Sequence, residues 1–67
     1  MIRYYVLRQS GEVRRLAKIV DNSRAYGYEG GAWVDMSNLL RIIYEITDYE
    51  EISEAEARSI IEEVYRE

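Results

Sequence analysis

Sixty-seven residues allow one domain at most, and a core of that size supplies only ~3–5 kcal/mol by itself. The chain has neither Cys nor His, which excludes a disulfide scaffold, the common zinc sites, thiol nucleophiles and imidazole bases. The formal net charge of −4 argues against tight binding to long polyanions, where phosphate contacts dominate affinity.

The first stretch, Met1–Arg8, has charge interrupting its apolar residues before a signal-peptide core forms. With no long apolar run, a soluble cytoplasmic protein is expected. Residues 2–8 and 13–20 are two strand-like runs rich in Tyr, Val, Leu and Ile. Ser10-Gly11 between them suits a two-residue hairpin turn. That turn sets Arg8 opposite Val13, Val6 opposite Arg15, Tyr4 opposite Ala17 and Ile2 opposite Ile19. Asp21-Asn22-Ser23 is a second turn signal, from side chains that bond their own backbone. Arg24–Tyr28 and Ala32–Val34 then read as strands around a Gly30-Gly31 turn, with Tyr28 opposite Trp33. Gly27 inside the third strand marks either a bulge or a close approach by another part of the chain. The competing reading is a longer two-stranded hairpin with residues 24–34 as an irregular flap.

From Asp35 the period changes to that of a helix. Leu39, Leu40, Ile42, Ile43 and Ile46 predict about ten helical residues, with Asp35 or Ser37 as cap. Thr47-Asp48-Tyr49 breaks the helix. Ser53-Glu54-Ala55-Glu56 is a capping box that opens a second one. Ile52 and Ala57 are spaced for a hydrophobic staple, and Ala57, Ile60, Ile61 and Val64 form the expected buried stripe. The acids Glu50, Glu51, Glu54 and Glu56 are read as favouring the dipole of this helix. The expected fold is therefore α+β and a single domain over residues 1–67. A small antiparallel β-meander of three or four strands (1–34) is followed by two C-terminal helices (35–67) packed on one face.

Charge and aromatic content narrow the function. Residues 1–28 carry Arg3, Arg8, Arg14, Arg15, Lys18 and Arg24 against Glu12 and Asp21, a net +4. Residues 29–67 carry Arg41, Arg58 and Arg66 against eleven acids, a net −8. Such a split lets the two halves pair with each other, within or between chains, or sets a positive face toward an anionic partner while the acidic end keeps the protein soluble. Seven Tyr and one Trp have the amphipathic character of contact surfaces.

Catalysis is not expected. Lys18 has no Ser at a telling spacing, and the acids Asp48, Glu50 and Glu51 read as a solvated run. Neither a metal nor a cofactor is expected, because no calcium loop or phosphate loop is present. The expected function is that of a small binding protein that regulates or inhibits a protein partner by contact, in the style of regulators carried by phages or mobile elements. A homo-oligomer, most simply a dimer, is expected to accompany it. An alternative is an oligomer that holds a nucleotide or another small phosphate-bearing ligand, Arg14, Arg15 or Arg24 pairing the phosphate and Tyr28 or Trp33 stacking on the base. Weak RNA or single-stranded DNA binding through the Tyr/Arg-rich sheet ranks third, and the net acidity disfavours it. The candidate partner- or ligand-binding residues are Tyr26, Tyr28, Trp33, Arg14, Arg15 and Arg24.

Overall fold

Two tight turns organise the sheet. Ser10 and Gly11 both have positive φ (53° and 79°), as do Gly30 and Gly31 (59° and 83°). Two successive left-handed residues give the turn whose twist matches a right-twisted hairpin. In the computed structural model, which describes residues 1–45 and 48–65, these turns join β1 (Ile2–Gln9) to β2 (Glu12–Val20) and β3 (Arg24–Glu29) to β4 (Ala32–Asp35). The Asp21–Ser23 turn joins β2 to β3. The meander is antiparallel throughout. Residues 24–34 are paired strands, not a flap.

The register departs from the regular hairpin at one place. Arg8 faces Val13 as expected, but Leu7 faces Arg15, so Arg14 is an extra residue at a bulge. Beyond it every pair moves by one: Val6 faces Leu16, Tyr5 faces Ala17, Tyr4 faces Lys18 and Arg3 faces Ile19. A unit shift exchanges the faces of a strand. It brings Val6 and Leu16 together on one face and Tyr5 with Ala17 on the other, all four buried. The regular register would have set buried Val6 against Arg15.

Tyr49–Ile52 forms a fifth strand, β5, antiparallel to β1 at the far edge. The sheet order is β4-β3-β2-β1-β5, five strands where three or four were expected. Glu50 and Glu51 belong to this strand and not to the approach to a helix. Glu50 meets the Arg8 guanidinium at 2.9 Å. Two adjacent carboxylates have low strand propensity, which hid β5 in the sequence. The same charges suit an edge, where they discourage pairing with another chain.

The helices lie on opposite faces of the sheet, and the expectation of one shared face is corrected. Helix α1 (Asn38–Glu45) buries Leu39 and Ile43 against Tyr5, Ala17, Ile19 and Ala25. Helix α2 (Glu54–Val64) buries Ala57 and Ile60 against Val6, Leu16 and Ile52. The bulge makes both faces of β1 and β2 apolar, and each then needs a cover. Ile46 and Thr47 lie outside the described residues, so the predicted end of the first helix is not placed. Its first turn closes through Leu39 N–H to Met36 O (2.8 Å) and Leu40 N–H to Ser37 O (3.2 Å).

For α2 the cap is at Ser53, whose hydroxyl accepts from Glu56 N–H at 3.1 Å. Ile52 and Ala57 are both buried in the same cluster, as a staple requires. Val64 is 49% exposed and falls outside the buried stripe. Gly27 pairs regularly with Ala17 and Val34 and is not in a bulge. It is the site of a close approach. A Cβ there would lie 2.7 Å from Met36 Sδ and 3.1 Å from the Arg15 guanidinium.

Candidate binding surface

Antiparallel partners share a face, so the register lays out the side of the sheet that bears α2. One cross-strand row runs Ile52, Tyr4, Lys18, Tyr26, Asp35 from β5 to β4. The next row holds Glu50, Val6 and Leu16, then Tyr28 and Trp33 on the outer hairpin. Helix α2 packs over β1. On β3 and β4 this face carries Tyr26, Tyr28 and Trp33 half-buried, with Arg24 and Asp35 exposed.

Across β1 to β4 the same face carries an aromatic strip with the Lys18 ammonium in its middle. Trp33 sits edge-on to Tyr28 at 5.2 Å between ring centres and tilted against Tyr4 at 6.1 Å. The Lys18 ammonium lies 4.6 Å from the Trp33 ring centre and 5.5 Å from that of Tyr26. A cation over two rings is worth about 0.5–1 kcal/mol at a partly exposed site. It also holds those rings at fixed orientation. Ile2, 48% exposed, and Arg24 extend the strip at the end where Val20 lies between them.

The six candidate residues separate into two groups. Tyr26, Trp33 and Arg24 belong to the strip. Arg14, Arg15 and Tyr28 line a cleft of about 260 Å³ at the other end of β3, together with Glu29, Gly30 and Tyr65. The cleft exists because β2 and β3 part company: their pairing ends at Ala17 and Gly27, while β3 continues with β4 to Glu29. Tyr65, just past α2, packs edge-on against Tyr28 at 5.1 Å and fills the inner end of the split. Burial pushes its hydroxyl pKa up, opposed by the Leu16 backbone and the Arg15 charge. Arg15 approaches Glu29 at only 3.8 Å and donates to Met36 Sδ at 3.1 Å.

Lys18, Tyr4 and Tyr65 were not among the candidates. Lys18 faces Tyr4 only in the bulged register of β1 on β2, its pairing with Tyr26 is set by β2 on β3, and nothing local to Tyr65 signals a contact with residue 28. Asp48, Glu50 and Glu51 do not converge: Glu50 and Glu51 alternate across β5, and no group of three acids among the described residues is placed to hold a metal ion. No helix among the described residues is long and apolar enough to cross a membrane. No family model, curated protein or solved structure matches this chain.

Proposed function

We propose that this is a non-catalytic cytoplasmic binding protein that regulates or inhibits a protein partner by contact through the Tyr4–Lys18–Tyr26–Trp33 strip. The observation that supports this reading is the cover: α1 packs on one face of the sheet and α2 over β1 on the other, while Lys18 on β2, Tyr26 on β3 and Trp33 on β4 stay half-buried on that second face. Rigid aromatic rings around a long cation are the composition of interface anchors. Lys18 and Arg24 favour a partner surface that combines apolar groups with carboxylates.

A photocrosslinking side chain at Tyr26, compared with one at Tyr44 on the outer side of α1, tests the surface in the source cells. Adducts to one protein from position 26, lost on Trp33→Ala and absent from position 44, support it. Equal labelling from both positions, or no adduct from position 26, refutes it. Once the partner is in hand, Trp33→Ala is expected to weaken binding by ~2 kcal/mol or more.

A homodimer through β4 is the second reading, and the contrast between the two sheet edges favours it. Edge strand β5 carries Glu50 and Glu51, while β4 carries Ala32, Trp33 and a Val34 that is 40% exposed. An edge lacking Lys, Pro and a bulge is open to strand addition. Sedimentation of the wild type and of Val34→Lys at micromolar concentration tests it: a dimer that Val34→Lys converts to monomer supports the β4 interface, and a monomeric wild type removes it.

A further inference from the structure

We propose that the cleft between the diverging ends of β2 and β3 is a binding site for a small phosphate monoester on a planar ring, of the nucleoside monophosphate class. The site adjoins the strip assigned to a protein partner through the Tyr28–Trp33 contact, but Arg14 and Arg15 lie outside that strip, so an Arg14 variant separates the two readings.

The cleft walls supply the needed groups. Arg14 and Arg15 stand on one side at the bulge, with Tyr28, Glu29 and Gly30 on the other and Tyr65 at the inner end. Arg8, Arg41 and Arg58 meet carboxylates at hydrogen-bonding distance: Glu50 at 2.9 Å, Glu45 at 3.1 Å and Glu54 at 2.8 Å. At the cleft, Arg15 has a carboxylate only at 3.8 Å and a thioether as hydrogen-bond acceptor. A thioether is a weak acceptor, so most of the guanidinium's donor capacity remains for a phosphate. Guanidinium and phosphate oxygens match in bidentate geometry.

The ring component follows from the opposite wall. Tyr28 is held edge-on by both Trp33 and Tyr65, which fixes an aromatic surface beside the two arginines. Gly30, at φ +59°, has no heavy atom within 4 Å of where a Cβ would stand, so the mouth beside it is open. A volume of about 260 Å³ falls just under the usual range for drug-sized ligands and suits a mononucleotide or smaller. Glu29 at the rim accepts hydrogen bonds from ring amino or sugar hydroxyl groups. Its charge, 3.8 Å from the Arg15 guanidinium, offsets part of the cleft's positive charge and so limits the anionic charge a ligand can bring, which favours a monoester over a triphosphate.

Trp33 touches Tyr28 and is the only tryptophan, so its fluorescence reports on the cleft. The test is titration of the four common nucleoside monophosphates, the corresponding nucleosides and triphosphates, and inorganic phosphate, in phosphate-free buffer, read by Trp33 fluorescence and calorimetry. At least one monophosphate is expected to bind with a Kd below ~1 mM, and at least ~10-fold tighter than its nucleoside, its triphosphate or inorganic phosphate. Arg14→Ala with Arg15→Ala should weaken it ~10–100-fold, from the loss of charged hydrogen bonds. Arg14→Glu, at an exposed position that leaves the Arg15–Met36 contact in place, should weaken it by at least as much as Arg14→Ala. No monophosphate binding below ~10 mM, phosphate binding as tightly as every monophosphate, or unchanged binding in Arg14→Glu with circular dichroism unchanged would each overturn the proposal. Partner crosslinking at Tyr26 is expected to survive Arg14→Glu, which keeps failure here distinct from failure of the partner surface.

Discussion

The two faces of the sheet solve the same problem with different side chains. Under α1 the sheet offers Ala17, Ala25 and Gly27 beside Ile19 and Tyr5, and small residues let Met36, Leu39 and Ile43 come close. Under α2 the sheet offers Val6 and Leu16 at the helix, then a margin of half-buried Tyr and Trp with Tyr65 against Tyr28. The first face buries mostly aliphatic groups, with Tyr5 among them, and leaves Val34 exposed at its β4 edge. The second carries the same kind of core at its centre and an aromatic border whose rings are only half removed from water. A domain this small has little core to spare, so both clusters are expected to matter for stability.

The comparison is open to attack in order of effect. Ile19→Ala on the α1 face and Leu16→Ala on the α2 face remove the largest fully buried side chains. Each should cost ~2–5 kcal/mol, enough to unfold much of a domain with ~3–5 kcal/mol in hand. Thermal melts that drop for only one of the two would show that the other core is dispensable. Gly27→Ala comes next. The added methyl meets Met36 Sδ, the flexible part of a side chain, so a cost of ~1–2 kcal/mol is expected in denaturant titration. A neutral outcome would mean that α1 does not pack as tightly on its face as the geometry requires.

Ser53→Ala should cost ~1 kcal/mol by removing the acceptor for Glu56 N–H, or a fall in melting temperature of about 4–8 °C. Lys18→Ala should cost ~0.5–1 kcal/mol from the lost cation–ring contacts, and less if the strip is mobile. Alkaline pH probes the margin most gently. The Tyr65 hydroxyl is raised above its ordinary value of 10.0 by burial, and Tyr49 is raised by burial as well. A raised folded pKa for a group that is neutral when protonated gives stability that is complete below the unfolded value. That stability is lost as pH rises through the folded value. Melting temperature should therefore fall above pH 10, and less steeply in Tyr65→Phe.

Legibility in the sequence tracked how local each signal was. The hairpin turns at Ser10-Gly11 and Gly30-Gly31, the Tyr28–Trp33 pair and the Ser53 cap each depend on a few consecutive residues, and each is present. The bulge at Arg14 is different. It is selected because a one-residue shift buries Val6 against Leu16, a comparison between two strands that neither strand contains alone. Strand β5 is selected by the free edge of β1, against the preference of its own Glu50 and Glu51. The candidate residues inherit this division. Tyr28 and Trp33 were paired from the turn, but Lys18 joined Trp33, and Tyr65 joined Tyr28, only through contacts across the folded chain.

By itself, then, the sequence determined an α+β meander with two helices, the places of its turns and the second helix start. Those follow from backbone preferences and side-chain periodicity over short windows. Tertiary structure alone decided the register of β1 on β2, the fifth strand and the placing of the helices on opposite faces. It also decided that the candidate residues fall into two separate groups on the surface. Each of these depends on which apolar surfaces find a partner, and burial is settled between distant segments, not within one.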